Sequence, residues 1–352
     1  MSATPGRSAT WSAPRLEAWT TSVFEACGMP APDAARSAAL LVRSELRGYA
    51  THGLTRIASY VERLHAGAFN PTPTLQHRET PGAVVLDADG AMGQVAGPHA
   101  IALGTAALER SASVLVVIRN CGHLGALGIH ALQAAETGLF ALVGQRTPPL
   151  LAMPGFGAAA IGHNPIAFGC PMPQGPPLVF DIACSVAARG HILLAAREGR
   201  PIPPGWAVDE AGEPTTDARR ALAGALMPMG GHKGIGIAMM VECLASALAA
   251  TGDRLDPALD RVPEAGAVGR QGAFLWLLRP AAFGEAGAFG AAMGHWTGTY
   301  LRAGAPAARL PGARGAALEA RGLARGLAVP DAIVAELRAL GKQLALPWPD
   351  PD

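Results

Sequence analysis

The chain has 352 residues, of which 50% are hydrophobic, 16% charged and only 5% aromatic. These values predict a folded protein with an aliphatic core, built as one large α/β unit with an extra lobe or as two domains, and they exclude fibrous and miniature disulfide-rich classes. Because 28 Lys and Arg face 27 Asp and Glu, the formal net charge of +1 gives no long-range attraction to a polyanion, and nucleic acid is not an expected partner.

Helical spacing dominates the first 70 residues. Ser12 followed by Pro14 begins one predicted helix, Asp33 caps a second, and a third covers residues 55–65. Residues 70–81 are rich in Pro and Thr and predict a connection, after which residues 83–87 begin a pattern of short apolar runs. We therefore place a lobe boundary at this connection.

Predicted strands and helices alternate along the middle of the chain. The strands cover 113–118, 139–144, 166–170, 178–183 and 273–278, and the helices cover 124–137, 186–198 and a buried segment at 233–250. Residues 201–217 and 253–269 are predicted loops, helices resume over 281–301, 316–323 and 331–346, and the Pro-rich tail 347–352 is expected at the surface. This order predicts a sheet covered by helices, with parallel pairing at least locally.

The cysteines and apolar segments indicate a cytoplasmic protein. Five cysteines, odd in number and without a C-x-x-C pair, indicate neither a disulfide framework nor a zinc ribbon. No export signal is predicted, and the apolar stretch 235–250 is short for a membrane span and contains Glu242, so no membrane partner is expected. No metal is expected either, because His191, His232 and His295 lack partners at metal-ligand spacing.

The first candidate site is the segment Arg47-Gly-Tyr-Ala-Thr51-His52-Gly-Leu-Thr-Arg56, where a helical pattern stops at a glycine and soon restarts. If residues 53–56 open the next helix, His52 and Arg56 are four residues apart and face one space. Arg could then hold a carboxylate in bidentate fashion, while His supplies a proton to a neighbouring carbonyl or imine. A helix-end histidine beside a surface arginine explains the spacing equally well.

Two glycine-rich turns are candidate anion sites. Asn120-Cys-Gly-His123-Leu-Gly125 follows a predicted strand and opens a helix, whose N-terminus attracts phosphate or carboxylate. Gly230-Gly-His-Lys233-Gly234 precedes the predicted buried helix and suits a pyrophosphate. Neither is a G-x-G-x-x-G fingerprint or a P-loop, and glycines needed only for turns and packing remain an alternative for both.

Two further segments carry polar groups at element ends. Asp181 lies at the end of an apolar strand, where its carboxylate could orient a histidine and raise that histidine's pKa, or could cap the following helix. Capping is the more common use of such a residue. Gly162-His163-Asn164-Pro165 indicates a turn.

In this order and spacing the segments resemble the malate/L-lactate/sulfolactate dehydrogenase-like oxidoreductases, a family that includes ureidoglycolate dehydrogenase, diketogulonate reductase and piperideine-2-carboxylate reductase. The resemblance runs from about residue 40 to the last predicted helix and includes Pro311-Gly312. It implies an enzyme that uses NAD or NADP to interconvert a small 2-hydroxy acid and 2-oxo acid, or to reduce a cyclic imino acid. It also implies a homodimer with sites near the subunit boundary.

The fold implied by the resemblance is α/β, with a mixed sheet covered by helices in a nucleotide-binding domain that is not a Rossmann fold. This would explain the missing glycine fingerprint. Residues 1–78 would form an N-terminal helical lobe on the substrate side, and residues 79–300 the NAD(P)-binding domain. Residues 301–352 would form C-terminal helices that pack back on the N-terminal lobe, so that both chain ends build the helical lobe.

The resemblance also implies roles for individual residues. His52 matches an acid/base histidine, Arg56 an arginine that holds the substrate carboxylate, and His123 a second histidine that transfers the proton in some members. The two histidines compete for one role, and we favour His52, with Thr51 beside it and Asp181 as its orienter, because only His52 has a carboxylate anchor at helical spacing. The positions that match cofactor contacts are Thr147, Asp181, Ile182, Ala183, Lys233, Gly312, Ala313 and Arg314.

Several positions depart from the family pattern. Thr51 replaces a serine and keeps the hydroxyl, whereas His163 replaces a threonine that is associated with substrate in the ketimine reductases. Gln145 and Ala313 are also unusual, and Arg146 would suit a ribose 2′-phosphate and so favour NADP. These changes motivate a second hypothesis, a catalytically impaired homologue that binds a nucleotide or acts as a scaffold.

Overall fold

The computed structural model describes residues 9–249 and 271–352, so the loop predicted over 253–269 lies outside the described residues. The helices in these ranges are α1 (Ala13–Ala26), α2 (Ala31–Leu46), α3 (Ile57–His65), α4 (Gly93–Ala107), α5 (Leu127–Glu136), α6 (Arg189–Arg197), α7 (Ala218–Ala223), α8 (His232–Glu242), α9 (Ala288–Ala303), α10 (Ala313–Arg325) and α11 (Asp331–Gln343).

The strands of the described ranges fall into three sheets. They are β1 (Thr10–Trp11), β2 (Gln76–Thr80), β3 (Ala83–Asp87), β4 (Ser113–Cys121), β5 (Phe140–Gln145), β6 (Pro149–Leu151), β7 (Ile161–Gly162), β8 (Ile166–Cys170), β9 (Leu178–Ile182), β10 (Ala207–Val208), β11 (Pro214–Thr215), β12 (Ala225–Leu226), β13 (Gln271–Leu278) and β14 (Leu327–Ala328). The predicted strands at 113–118, 166–170 and 273–278 are confirmed within these bounds.

A seven-stranded sheet forms the centre, in the order β2-β3-β4-β13-β5-β8-β9. Of its six described pairings, only β3 with β4 is parallel. The expected mixed sheet with local parallel pairing is therefore confirmed. Helices α4 and α5 cover one face, where aliphatic side chains such as Val116, Ile118 and Val143 are fully buried. Burial of these side chains supplies the main favourable free energy of this layer.

A second sheet of five short strands, in the order β11-β10-β12-β6-β7, has its own small core. Leu151 of β6, Ala207 of β10 and Leu226 of β12 are buried there against Ile192 of α6 and Ala238 of α8. This sheet therefore fixes the start of α8 beside the turn that follows β9, where Ser185 bridges to Pro228.

The two ends of the chain are in direct contact. β1 pairs with β14 in antiparallel fashion, and α10 packs against α2. In the tail, the Trp348 ring lies 4.8 Å from that of Trp19 and is only 8% exposed. The surface location expected for the whole tail is thus wrong at Trp348, because this large apolar ring fills a space against α1.

Four other expectations about elements need correction. Asp33 does not cap α2, since Pro30 holds the N-cap position and Asp33 lies in the first turn. The connection predicted over 70–81 contains the exposed edge strand β2, whose side chains show no apolar alternation. The helix predicted over 233–250 is α8 followed by a π-helical turn, and it is buried on one side only, with Met239 54% exposed.

The fourth correction is α4, which the sequence analysis does not predict. It contains Gly93, Gly97 and Pro98, residues that usually disfavour helices. A Cβ atom on Gly93 would lie 2.3 Å from the carbonyl oxygen of His123, and one on Gly97 would lie 2.5 Å from the His130 ring. The glycines thus let the loop that carries His123 approach the helix closely, a contact that no local pattern reveals.

Among the described residues, no helix is both long and apolar enough to cross a membrane.

Candidate active site

The segment between α2 and α3 carries the first predicted pair. It folds as two 3₁₀ turns, Ala50–His52 and Leu54–Arg56, and α3 begins only at Ile57. His52 and Arg56 therefore lie in consecutive 3₁₀ turns rather than in the opening turn of α3. The amide of Leu54 donates to a carboxylate oxygen of Glu45 at 3.0 Å, which ties the segment to α2.

Hydrogen bonds within this segment hold both functional side chains. Arg56 donates from Nε to the carbonyl oxygen of Thr51 at 2.6 Å, and the Thr51 hydroxyl lies 2.8 Å from Nδ1 of His52. Thr51 therefore links the two side chains, and the expected convergence of His52 and Arg56 is supported by a contact that spacing alone does not predict.

His123 lies on the loop between β4 and α5. Its ring centroid is 5.5 Å from that of His52, with 33° between the ring planes. The two histidines that compete for one role in the sequence analysis are therefore neighbours in one site. The hydroxyl of the fully buried Tyr60 lies 2.8 Å from Nδ1 of the same His123 ring. Tyr60 is a residue that the sequence analysis did not single out.

Buried amide side chains fix the backbone around His123. Gln145, at the end of β5, accepts from the Leu124 amide and donates to the Gly122 carbonyl, each at 2.9 Å. Gln94 of α4 donates to the Leu124 carbonyl at 3.3 Å. Gln145 departs from the family pattern, and in the structure its side chain binds the backbone of the residues directly before and after His123.

His163 is a third histidine of the site. Its Nδ1 lies 3.1 Å from the hydroxyl of Thr147, and the Thr147 amide donates to the side-chain oxygen of the buried Asn164 at 2.9 Å. Asn164 in turn donates to Glu242 of α8 at 3.0 Å. This network joins two predicted positions, Thr147 and His163, to the sheet and to α8.

Arg146 forms an ion pair with the same glutamate. Its Nε lies 2.9 Å from Glu242 Oε1, and its side chain is only 9% exposed. A buried guanidinium already paired with a carboxylate is poorly placed to meet a phosphate. The suggestion that Arg146 favours NADP is therefore not supported by this geometry.

Asp181 binds a helix rather than a histidine. Its carboxylate accepts from the amide of Gly128 in the first turn of α5 at 2.7 Å, so it caps a helix that is distant in sequence, not the one that follows it. A Cβ on Gly128 would meet the Tyr49 hydroxyl at 2.4 Å and Asp181 at 3.1 Å, so all three groups are adjacent. Since Thr51 holds Nδ1 of His52, the structure favours Thr51 over Asp181 as the orienter of His52.

The remaining predicted cofactor positions lie at two helix starts. Gly230 and Gly231 have φ of +58° and +60° and precede α8, where Lys233 is exposed. The hydroxyl of Ser185, buried and without a hydrogen-bond partner, lies in the segment that pairs with this turn. Backbone amides, a lysine and an unpartnered hydroxyl are groups that bind a pyrophosphate, so the residues fit a dinucleotide.

The second helix start is that of α10, which contains Ala313 and Arg314. Gly312 precedes it with φ +88°, and a Cβ there would lie 2.9 Å from the amide nitrogen of Val179 in β9. Pro311 accepts from that amide at 3.2 Å. This start is thereby fixed beside β9, the strand that ends with Asp181 and Ile182 and leads into Ala183.

Burial keeps all three site histidines neutral near pH 7. It lowers the pKa of His52 to about 4, and the charges of Arg56 and His163 add to this effect. Burial also lowers the pKa of His163 to about 4. It lowers the pKa of His123 well below its usual value, with further contributions from His52, Arg56, Arg63 and His163. By contrast, burial raises the pKa of Asp181 to about 6, partly offset by the Gly128 amide.

These shifts predict a protein that is less stable in mild acid. Between about pH 6.5 and about pH 4 the unfolded chain protonates its histidines while the folded site does not, so the free energy of unfolding falls as the pH is lowered. Asp181 acts in the opposite direction, because its folded carboxyl takes up a proton at a higher pH than the unfolded one. Elsewhere among the described residues, lowered pKa values of His99 and His130 act like those of the site histidines, and raised pKa values of Glu17 and Glu45 act like that of Asp181. Five histidines oppose three carboxyls, so we expect the melting temperature to decrease from about pH 7 to about pH 5.

Two variants check the source of this decrease. His163→Thr should flatten this pH dependence, because it removes up to about 2 kcal/mol of the decrease in unfolding free energy between about pH 7 and about pH 5. His65→Thr, at an exposed position on α3, should leave the dependence unchanged. A wild-type melting temperature that does not change over this pH range, or an equal effect of both variants, would contradict the assignment.

Comparisons with known proteins agree with this site. The family model for malate/L-lactate dehydrogenase matches residues 11–338. The delta(1)-pyrroline-2-carboxylate reductase of Ancylobacter novellus is 37% identical over 321 residues, which cover 90% of this chain and 93% of that protein.

Two solved structures are similar over nearly the whole chain. The delta1-piperideine-2-carboxylate reductase from Pseudomonas syringae pvar. tomato has a TM-score of 0.85 and 30% identity, and covers 94% of this chain and 99% of its own. The sulfolactate dehydrogenase from Methanocaldococcus jannaschii has a TM-score of 0.86 and 27% identity, with coverages of 96% and 98%.

The protein thus combines a mixed α/β fold with a site in which an arginine and three neutral histidines come together, and it is an oxidoreductase. The chain belongs to the malate/L-lactate dehydrogenase family. The family assignment and the use of NAD or NADP, both expected from the sequence, are confirmed. The alternative of an impaired homologue receives no support from these relatives.

Proposed function

We propose that the protein is an NAD(P)-dependent reductase of cyclic 2-imino acids of the pyrroline-2-carboxylate type, with 2-oxo acids as the second substrate class. The observation that supports this proposal most directly is the placement of Arg56 beside His52 and His123, which gives one carboxylate anchor next to two imidazoles. A substrate with its carboxylate adjacent to a C=N or C=O bond fits this arrangement. The relative that spans nine-tenths of the chain is named as a pyrroline-2-carboxylate reductase.

Arg56 binds the substrate carboxylate and His52 moves the proton. The hydrogen bond from Arg56 Nε to the Thr51 carbonyl fixes the guanidinium, whose remaining donors are free to bind a carboxylate in bidentate fashion. A bound carboxylate offsets the charge of Arg56, which is one cause of the lowered pKa of His52. Substrate binding therefore raises the pKa of His52 and prepares it to donate a proton to the substrate nitrogen or oxygen.

Thr51 and His163 complete the substrate side. Thr51 holds Nδ1 of His52, so that Nε2 carries or accepts the transferred proton. His163 contacts the rest of the substrate while the Thr147 hydroxyl holds its ring. Because His163 is neutral near pH 7, it adds a hydrogen-bonding group to the site without adding charge.

The cofactor positions extend from His163 to the starts of α8 and α10. Lys233 and the turn before it bind the pyrophosphate, and Thr147, Asp181, Ile182, Ala183, Gly312, Ala313 and Arg314 contact the rest of the dinucleotide. When bound, the nicotinamide supplies the hydride for the carbon next to the substrate carboxylate, or takes it in the reverse direction. Asp181 acts by holding α5, and with it the loop of His123, in place.

The expected division into three parts is kept in this proposal. Residues 1–78 form the substrate-side lobe, 79–300 the NAD(P)-binding domain, and 301–352 the helices that pack back on the N-terminal lobe. The pairing of β1 with β14 and the packing of α10 on α2 support a helical lobe built from both chain ends. A nucleotide-binding domain that is not a Rossmann fold is supported by the one parallel pair among the six described pairings of the central sheet.

A cytoplasmic homodimer is the proposed assembly. Large apolar side chains are exposed on α9 and in the segment just before it: Phe283 is 64%, Trp296 47% and Leu301 37% exposed. Exposed apolar groups of this size, close together along the chain, commonly mark a surface that is covered by a partner. A second copy of this chain is the proposed occupant.

A substrate panel tests the proposed function. We expect the protein to oxidise NADH or NADPH with pyrroline-2-carboxylate or piperideine-2-carboxylate as substrate, and to act on 2-oxo acids such as pyruvate more slowly. The rate is measured as the loss of reduced-nicotinamide absorbance. The control is 1-pyrroline, which has the same imine but lacks the carboxylate that Arg56 binds, and it should be reduced poorly. No turnover of any member with either nucleotide would contradict the proposal.

A further inference from the structure

Tyr60 is a buried phenol beside a histidine of the candidate site. It lies on α3, is 2% exposed, and its ring packs edge-on against Phe69 at 5.6 Å. Its hydroxyl faces Nδ1 of His123 at 2.8 Å. A fully buried hydroxyl that points at a histidine of the site fixes either an Nδ1–H or an Nε2–H form of that ring, depending on which group donates.

The groups near the phenol decide which group donates. Gln94 of α4 lies close by, but its Nε2 donates to the Leu124 carbonyl at 3.3 Å, which sets the orientation of the amide. Its Oε1 is buried without a hydrogen-bond partner, so it does not accept from Tyr60. The acceptor within hydrogen-bond distance of the phenol is therefore Nδ1 of His123.

The hydrogen of the phenol is then available for one acceptor. If Nδ1–H of His123 donated to the phenol oxygen, the buried O–H of Tyr60 would have no partner, at a cost of about 1–3 kcal/mol. If Tyr60 donates to Nδ1, both the phenol hydrogen and Nδ1 have a partner. The hydrogen of the neutral imidazole then lies on Nε2, on the side of the ring away from Tyr60.

We propose that Tyr60 is a positioning residue that holds His123 as an Nε2–H donor toward the substrate. Given the proposed function, this divides the work of the two histidines: His123 donates a hydrogen bond to the substrate nitrogen or oxygen, whereas His52 transfers the proton. The titratable and charged groups around His123 are His52, Arg56, Arg63, Tyr60 and His163. No group among them is an acidic residue that would favour the charged imidazole.

A measurement on the protein without substrate tests the tautomer. Long-range ¹H–¹⁵N correlation spectra distinguish an Nδ1–H from an Nε2–H imidazole, and the His123 signals are identified by their loss in His123→Gln. We expect the Nε2–H pattern in the wild-type protein and a mixture of both forms in Tyr60→Phe, which removes only the hydroxyl. An Nδ1–H pattern in the wild type, or an unchanged pattern in Tyr60→Phe, would overturn the proposal whether or not the substrate is correctly assigned.

Kinetics then measure what the positioning contributes. Tyr60→Phe should lower kcat by about tenfold, the equivalent of one hydrogen bond, while the KM for the substrate and the Kd for the nucleotide stay within about twofold. The control is Thr20→Val on α1, which also removes a buried hydroxyl, one that has no hydrogen-bond partner, and should leave kcat unchanged. An unchanged kcat in Tyr60→Phe, or an equal decrease in Thr20→Val, would reject a positioning role.

Discussion

Replacing His52 by Ala is expected to lower kcat by about 100- to 10,000-fold, the range typical for loss of a positioned acid or base. The imidazole lies beside His123 and is held at Nδ1 by Thr51, so its loss removes the group that we propose moves the proton, without altering the helix starts proposed to contact the nucleotide. We therefore expect the Kd for NADH or NADPH to stay the same. Both quantities are measured directly, by steady-state kinetics and by fluorescence titration.

The matched control is His65→Ala, an exposed histidine at the end of α3 that lies only 13 residues further along the chain. Its kcat should equal that of the wild type. If His52→Ala keeps its kcat while His123→Ala loses it, the proton-transfer role belongs to His123 and the division of work proposed for the two histidines is wrong.

Replacing Arg56 by Gln is expected to raise the KM for carboxylate substrates by about 100-fold or more. Hydrogen bonds to a charged group contribute about 1.5–3 kcal/mol, and a bidentate pair loses both of its bonds together. The nucleotide Kd should not change. The variant also removes a charge that lowers the pKa of His52, so the acid limb of the kcat/KM profile should move from about pH 4 toward neutral pH.

The direction of this pH shift distinguishes a local role from general damage. For oxidation, His52 must be neutral, so the wild-type rate is level above its pKa and falls below it, and Arg56→Gln should begin to fall at a higher pH. Arg36→Gln, at an exposed position on α2, is the control and should alter neither KM nor the profile. If Arg56→Gln has a wild-type KM for every acid, the carboxylate is bound elsewhere.

The short-range part of the site was predictable because it lies within one segment. His52 and Arg56 are separated by three residues, and Thr51 adjoins His52, so any compact fold of this segment keeps the three close together. What the spacing could not show is the exact backbone: two 3₁₀ turns, tied to α2 by Glu45, replace the expected opening turn of α3. Local pattern predicts proximity, whereas contacts with another helix select the turn type.

Other parts of the prediction failed for reasons that can be named. Helix α4 was missed because its glycines and Pro98 disfavour helix locally, while contacts with the His123 loop and the His130 ring require small residues there. The pattern of α8 predicts a fully buried helix, whereas only one side is buried, because a helix that is apolar all round does not show which side faces the core. In both cases packing against distant residues outweighs propensity.

The sequence by itself determined the family, the order of strands and helices through most of the chain, and the proximity of Thr51, His52 and Arg56 within one segment. Only the tertiary structure decided how the distant groups meet: Tyr60 with His123, Gln145 with Gly122 and Leu124, and Asp181 with the amide of Gly128. The separations along the chain are 63 residues for Tyr60 and His123, 23 and 21 for Gln145 with Gly122 and Leu124, and 53 for Asp181 and Gly128. Hydrogen bonds over such distances form only after the sheet and the helices have packed, because burial, and not spacing along the chain, brings each donor to its acceptor.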